Sequence, residues 1–487
     1  YHEGDIPNAC AQMVHRASIV SLSPKTVRVA LRNSQTDVHV FNCGDDVLWA
    51  VEHDLFESST SVLYQSMQRF LISNQQRKDM ILGTRPLAYD SSATLNGEYG
   101  EFDDLVSHSK RAKDMFMVIG PPGTGKPSFG LLNILREELL EEGSNVLLLS
   151  YTNRAVDEIC GKLKTDCIDF VRIGNSMSAS DEFKSCFLSE RLAEGKKASE
   201  VRGVIESVRV FCGTTASVNS NIHLLGIKKF SLAIIDEASQ ILEPHLIGLL
   251  SARYGDENSI GRIVLIGDHK QLPAVVLQNM SQSAVTEPEL ININLTDCRL
   301  SFFERQIKRL TLEDGTYDNR FVYMLTRQGR MHEQIASFPN MAFYDNRLEI
   351  IGSPVIPHQD IVLPESYESD NSIDVLLKTR NMAFICTPPC EETLTGKVNP
   401  NEAKMIASMV RRVFEMEKGA FDVNKTVGVI VPYRNQISLV RNAIDMFGIE
   451  ELNGITIDTV ERFQGSQRDY ILYGFTVNHR YQMNFLI

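Results

Sequence analysis

At 487 residues the chain exceeds the roughly 250 to 300 residues at which a single hydrophobic core stops growing, so two or more domains are expected. Its composition, 43% hydrophobic and 23% charged, is that of a globular protein with ample apolar surface to bury, and disorder is not the default reading. A net charge of −13 excludes a surface that is basic all over, as a coat for polyanions would be, but leaves room for a narrow basic channel gripping a few phosphates.

The chain starts at Tyr1 rather than Met, and we read it as a piece of a longer polypeptide. Its first ten residues, YHEGDIPNAC, lack the basic and apolar regions of a signal peptide, and no apolar stretch approaches the ~20 residues needed to span a bilayer. A cytoplasmic protein with no membrane partner is expected. Residues 17–41 alternate β-branched and polar residues around a Ser-Pro turn, which predicts two antiparallel strands and, over 1–46, a partial β-barrel. From Val47 to Leu82 the spacing becomes helical, with Leu55, Val62, Leu63, Met67, Phe70 and Leu71 on one face; this predicts a helical stalk, followed by a linker to residue 100.

Short apolar runs then alternate with helical segments: Met115 to Ile119, Val146 to Leu149, Val208 to Cys212, Leu232 to Ile235 and Ile263 to Ile266. Continuous apolar strands separated by helices predict a parallel sheet covered on both faces, here over 101–320 with a helical insertion near 180–206. A second series from about Phe321 predicts strands at Met382 to Cys386, Thr426 to Val431, Thr456 to Val460 and Tyr470 to Phe475, with helices at about Asn401 to Glu417 and Gln436 to Phe447. The fold class is therefore α/β, with two tandem parallel-sheet domains, the second (321–487) incomplete at its C-terminal end. Nine cysteines without a CxxC pair read as reduced core thiols, and the 11 histidines show no metal-ligand spacing.

The run Met115 to Ile119 leads into Gly120, Pro121, Pro122, Gly123, Thr124, Gly125 and Lys126, with a helical pattern after it. Three glycines let backbone N–H groups turn toward phosphate oxygens, the helix N-terminus adds its dipole, and the lysine neutralises the β- and γ-phosphates of a nucleotide. Pro127 stands where a hydroxyl residue usually helps hold magnesium, and it supplies neither hydroxyl nor N–H. The run Leu232 to Ile235 ends in Asp236 and Glu237, a pair suited to holding Mg2+ through water (Asp236) and to activating the attacking water (Glu237). A further run ends in Gly267-Asp-His-Lys-Gln-Leu-Pro273, where the Gln271 amide can bond both a γ-phosphate and that water.

In order, GPPGTGK, SYTNRAVDEI, FCGTTAS, IIDEASQ, GDHKQLP, QGRMH, VPYRNQ and TVERFQGSQRD resemble the motor core of superfamily 1 helicases, specifically the group with the nonsense-mediated-decay helicase and the replication nuclease-helicase. The resemblance covers about Lys110 to Val477. It implies two RecA-like domains with ATP between them and single-stranded DNA or RNA across both. It places Lys126, Asp236, Glu237 and Gln271 on the nucleotide, adds Arg330 as an arginine finger, and sets Gly465 and Gln467 in the same cleft. It assigns Thr152, Asn153, Thr214, Thr215, Pro432, Tyr433 and Thr459 to nucleic acid, through backbone contacts that are indifferent to sequence. Gly329 occupies the place of an adenine-stacking aromatic, and no final motif follows Tyr470 to Phe475 before the chain ends. The implied activity is that of an ATP-dependent helicase or translocase, a monomeric motor with 5′ to 3′ polarity. The alternatives are a nucleic-acid-binding module impaired as an ATPase, and the helicase piece of a nuclease-helicase whose nuclease lies elsewhere.

Overall fold

The computed structural model describes residues 17–23, 25–31, 58–126, 130–176, 179–191, 198–276, 278–352, 371–388, 397–417, 419–463, 466–479 and 482. The chain divides into two compact units, residues 1–65 and 66–487. In the first, β1 (Ala17–Leu22) and β2 (Val27–Leu31) pair antiparallel with an irregularity between Ile19 and Ser21. Their turn is closed by Ser23 N–H to the Thr26 carbonyl at 2.9 Å and by Thr26 N–H to Ser23 Oγ at 3.1 Å. This is the expected hairpin; the other residues of the expected barrel, 1–16 and 32–46, lie outside the described residues.

Helices Ser58–Ile72 and Gln75–Leu82 follow, where helical spacing predicted the stalk. The predicted apolar face needs correction: Met67 is 48% and Leu71 66% exposed, whereas Ser66 on the same helix is fully buried. Leu55 lies outside the described residues. The reason is a close helix contact made by small residues: Ser66 Oγ donates to the Pro244 carbonyl at 2.5 Å and accepts the Gly248 N–H at 2.9 Å. A Cβ at Gly248 would overlap the Ser66 backbone.

The main sheet of the second unit is built from β3 (Met115–Ile119), β4 (Val146–Ser150), β5 (Phe170–Ile173), β6 (Val210–Thr214) and β7 (Phe230–Ile235). After a short hairpin, β8 (Arg253–Tyr254) with β9 (Glu257–Asn258), it adds β10 (Ile260–Gly267) and β11 (Val322–Met324). The order is β11-β3-β10-β7-β4-β6-β5, with every pair parallel. Runs such as MFMVI and VLLLS are buried throughout, which is why they read as unbroken apolar stretches rather than alternating ones. The segment expected as a helical insertion holds a 3-10 turn at Asp181–Cys186 and helices Leu188–Arg191 and Ala198–Ser207, between β5 and β6.

Two expectations shift. The sheet continues past residue 320, because β11 adds to the free edge of β3: Met117 N–H donates to the Phe321 carbonyl and Leu325 N–H to the Ile119 carbonyl, both at 2.8 Å. No strand forms at Met382 to Cys386, where Met382 is 58% and Phe384 76% exposed. Downstream, β12 (Arg327–Gln328) and β13 (Glu349–Ile350) pair parallel on either side of helix Glu333–Phe343. A three-stranded parallel sheet follows, of β14 (Val427–Ile430), β15 (Thr456–Asp458) and β16 (Tyr470–Tyr473) in the order β15-β14-β16. Helices Pro400–Met416 and Arg434–Asp445 pack with it in a core separate from that of the main sheet. The class is α/β with parallel sheets, as the sequence predicts.

Arg305, fully buried on helix Phe302–Arg309, ties Gln75–Leu82 to the core of the main sheet. It makes a two-bond pair with Glu243 (2.7 and 2.6 Å) and donates to the carbonyls of Ile81 (2.8 Å) and Leu82 (3.2 Å), which the helix end leaves unpaired. Arg305→Met removes the buried guanidinium and strips the Glu243 carboxylate, 14% exposed, of its partner, so urea unfolding should show a loss of about 3 kcal/mol; a loss below about 1 kcal/mol would mean that Glu243 finds another partner.

Candidate active site

Because all seven strands of the main sheet are parallel, the loops leaving their C-terminal ends lie along one edge, where open α/β sheets bind ligands. Beyond β3, Gly120 N–H still pairs with the Gly267 carbonyl at 2.9 Å. Gly123 (φ 77°) and Gly125 (φ 74°) then take the left-handed conformation, which only glycine enters without steric cost. Thr124 folds inward, its N–H and hydroxyl both donating to the Pro121 carbonyl (3.3 and 2.8 Å). Lys126 is buried, with its stem packed so closely over Gly120 that any Cβ there would collide with it. Pro122 is half-buried, and Pro127 lies outside the described residues.

The lysine head reaches the end of β7, with Lys126 Nζ 3.2 Å from Glu237 Oε1. Glu237 has φ 51°, an uncommon conformation for a residue with a side chain, and it leads into the turn Ala238–Gln240. Asp236, beside it, is almost completely buried, and its Oδ1 has no hydrogen-bond partner. Burial first, and the Glu237 carboxylate second, push its carboxyl up to about 7, against the pull of Lys126 and Lys162. An orphaned buried acceptor next to the glycine loop fits a divalent cation. No group of three or more His, Cys, Asp or Glu suited to a metal exists among the described residues, so such an ion would rely on Asp236, water and phosphate.

Beyond β10, Asp268 is fully buried. Its N–H donates to Ser239 Oγ at 3.2 Å, which docks this loop on the one after Glu237. Its Oδ2 accepts Gln271 Nε2 at 2.7 Å, fixing the orientation of the Gln271 amide.

From the other side, Gly329 N–H donates to the Gly123 carbonyl at 3.0 Å. A Cβ on Gly123 would stand 2.5 Å from the Arg330 Cβ, so the glycine loop and the Arg330 segment touch directly. Buried Gln328 braces that segment by accepting the N–H groups of Arg330 (3.0 Å) and Met331 (2.9 Å) on its Oε1. Arg330 Nε donates to Gln467 Oε1 at 3.1 Å. Its guanidinium is reachable by solvent yet walled by protein, and this partial desolvation lowers its pKa against the opposing pull of Glu158 and Glu237. Arg154 Nη1 donates to Ser466 Oγ at 2.7 Å, a second link to the same segment. Gly465 lies outside the described residues. Thus Lys126, Glu237, Arg330 and Gln467 gather at the glycine loop, and Asp236 and Gln271 leave neighbouring strands of the same edge.

The residues expected on nucleic acid also follow strand ends. Thr152 and Asn153 follow β4, Thr214 ends the adjacent β6 and Thr215 follows it, with Ser150 and Thr214 in register. Pro432 and Tyr433 follow β14, and Thr459 follows β15. Their availability differs. Thr152 is exposed and caps helix Asn153–Thr165 through the Ala155 N–H at 3.2 Å. Thr214 and Thr215 are buried, and the Thr214 hydroxyl is spent on Ser217, to whose Oγ it lies at 2.8 Å and whose N–H it accepts at 3.0 Å. Tyr433 is half-buried, with Lys397 Nζ 5.9 Å from its ring centre. Thr459 N–H donates to Asp458 Oδ1 at 2.8 Å.

The sequence reading missed Arg154, Glu158, Lys162 and Asp268. The first three recur every four residues on helix Asn153–Thr165, a spacing that puts them on one face and could have flagged them. Buried thiols account for only part of the cysteines: Cys160, Cys186 and Cys212 are buried, whereas Cys167, Cys298 and Cys386 are exposed.

The buried Asp236 gives a pH signature. Folding raises its pKa, so the native state favours the protonated carboxyl, and stability falls as pH rises from the ordinary carboxylate value through about 7. In metal-free buffer Asp236→Asn should therefore be more stable than the unsubstituted chain, by an amount that grows from pH 5 to pH 7 and levels off above, on the order of a few kcal/mol. Urea unfolding across that range checks it, and a pH-independent difference would contradict the burial.

Two family models, each described as an AAA domain, match the chain, one over residues 298–486 and one over residues 102–200 and 187–279. The chain is 31% identical to the DNA replication ATP-dependent helicase/nuclease JHS1 of Arabidopsis thaliana, over 94% of its own length and 32% of that protein's. It is 28% identical to DNA replication ATP-dependent helicase/nuclease DNA2 of Saccharomyces cerevisiae (82% and 24%) and 27% identical to that of Homo sapiens (76% and 33%). It thus spans about a third or less of these curated relatives. Among solved structures, an Arterivirus nonstructural protein 10 (helicase) in complex with DNA matches at 13% identity, over 72% of this chain and 61% of that one, with a TM-score of 0.31. With the glycine loop, the acidic pair and the arginine segment in motif order, and with the two AAA-domain models and the helicase/nuclease relatives, the chain belongs to the superfamily 1 helicases, in the group of the nonsense-mediated-decay helicase and the replication nuclease-helicase.

Proposed function

We propose that this chain is the motor of an ATP-dependent helicase or translocase acting on single-stranded nucleic acid. The observation that carries the reading is the convergence of Lys126, Glu237, Arg330 and Gln467 on one glycine loop, from segments more than 340 residues apart in sequence. The ion pair between Lys126 and Glu237 keeps both groups neutralised until a triphosphate competes for the lysine, and that exchange frees Glu237 to orient and deprotonate the attacking water. Asp236 is the residue that would hold magnesium, through water, and the ion would neutralise charge on the triphosphate. Arg330 meets the charge that develops on the γ-phosphate, and Gln271 senses that phosphate. Arg330 and Lys126 are drawn together by the same anion. Loss of the γ-phosphate weakens that attraction, and the loops can part.

For the strand, exposed Thr152 and half-buried Asn153 and Tyr433 are the groups best placed to bond phosphates and stack on a base. Buried Thr214 and Thr215 would shape that edge rather than touch it. The names of the relatives favour DNA over RNA. They also favour a nuclease elsewhere in the full-length protein, and 5′ to 3′ movement by a single copy follows the family resemblance. No helix among the described residues is long and apolar enough to cross a membrane, and a cytoplasmic location belongs to the proposal. A second reading, a clamp with impaired turnover, is favoured by one observation: Pro127 occupies a magnesium-ligand position without a hydroxyl.

Nucleic-acid-stimulated ATP turnover decides between them. Arg330→Ala should lower kcat by about 10³-fold if the arginine acts as a finger, and Pro127→Thr should raise turnover. If Pro127→Thr in a C-terminally extended form still shows no stimulation, the motor reading fails. Tyr433→Ala should weaken single-strand binding by roughly 5- to 100-fold, the range of one lost base stack, in a fluorescence anisotropy titration at fixed salt; an unchanged affinity would remove Tyr433 from the interface.

A further inference from the structure

Helix Glu333–Phe343 begins three residues after Arg330 and ends at Tyr344. Tyr344 is buried, and its hydroxyl donates to Asp268 Oδ2 at 2.7 Å. That oxygen also accepts Gln271 Nε2 at 2.7 Å, while Asp268 Oδ1 takes the Lys270 N–H at 3.0 Å. One carboxylate therefore holds the side chain of the phosphate-sensing glutamine, the backbone beside it and a tyrosine from the arginine segment. Burial and the facing carboxylate push the Tyr344 hydroxyl well above its ordinary pKa, so it stays protonated and points its proton at Asp268.

The segment is anchored at its other end as well, where Gly329 bonds the Gly123 carbonyl and Arg330 packs on Gly123. The turn after the helix is tightly built. Asn340 donates to the Leu348 carbonyl (3.0 Å) and accepts the Leu348 N–H (2.9 Å), and Asp345 and Asn346 both lie in the left-handed region. The chain then pairs β13 against β12, immediately before Arg330. Arg330 and Tyr344 thus belong to one closed β-α-β unit that touches the loops of two neighbouring strands, β3 and β10.

We propose that Tyr344 is a positioning residue that acts through Asp268 to hold Gln271, so that movement of the Arg330 segment is felt at the phosphate sensor. This rests on the ATPase reading above. The residue touches neither substrate nor reacting atoms. Its hydroxyl supplies the second donor that keeps Asp268 in the rotamer required by the Gln271 amide.

The test compares the full chain with Y344F, Q271A and the double variant in nucleic-acid-stimulated ATP turnover, and measures amide hydrogen exchange in the unsubstituted chain and Y344F. Y344F should lower kcat by about tenfold, as expected for one hydrogen bond to a charged group, with KM for ATP moving less than about twofold. In the Q271A background the same substitution should change kcat less than about twofold, because the group it positions is gone. The Lys270 and Gln271 amides should exchange about tenfold faster in Y344F, with those of Val264 and Leu265 in β10 unchanged. An equal loss of kcat with and without Gln271, an unchanged kcat, or unchanged exchange at Lys270 and Gln271 overturns the proposal. If the unsubstituted chain shows no turnover, it is the ATPase reading that fails, and the exchange data alone decide whether Tyr344 holds the loop.

Discussion

The one-way run of the seven-stranded ladder is the constraint on which the rest depends. Parallel pairing sends the C-terminal ends of β3, β10 and β7 to a single edge, about one strand spacing apart. The glycine loop, the loop after β10 and the acidic pair, which stand roughly 150 residues apart in sequence at the extremes, become neighbours. An antiparallel sheet with the same strands would scatter them over two edges. The unbroken apolar runs that enforce this ladder thus also assemble the chemistry.

Close approach does the next part of the work, and glycine permits it. Gly123 leaves no space for a Cβ against Arg330, and Gly248 leaves none against Ser66. Two buried polar groups are paired with little slack: Arg305 with Glu243 and the carbonyls of Ile81, Leu82 and Ile293, Asp268 with three donors. Leaving any such group unpaired in the interior costs more than its bond contributes, which gives these networks a specific geometry. Some buried atoms are left without a partner among the described residues, Asp236 Oδ1 among them, and there burial and the Glu237 carboxylate raise the carboxyl pKa.

Most of the sheet was legible because long apolar runs bounded by turns have few other uses. β3 was read to the residue, whereas β5 was missed, since Arg172 interrupts its four-residue run. The structure buries that arginine by pairing it with Asp157 and stacking it on Phe187, partners that no local pattern announces. Met382 to Cys386 failed in the opposite sense, as an apolar run that no sheet takes up. The two-residue β12 and β13 are too short for any periodicity. At the site, motif order pointed to Lys126, Glu237 and Arg330. The Arg330–Gln467 and Tyr344–Asp268 bonds were out of reach because they join residues 137 and 76 positions apart, and Thr214 and Thr215 read as surface contacts because burial is a tertiary property.

The left-handed backbone at Glu237 carries a cost that falls on folding alone. A residue with a side chain held there gives up on the order of 1 kcal/mol or more relative to an ordinary conformation, and only the surrounding loops keep it in place. Glycine, or asparagine to a lesser degree, would sit there more comfortably while lacking the carboxylate. Foldability and the keeping of a carboxylate thus pull in opposite directions at one position. Selection for stability alone would drift away from glutamate, so its presence at that strained φ reads as a trace of selection for something other than stability.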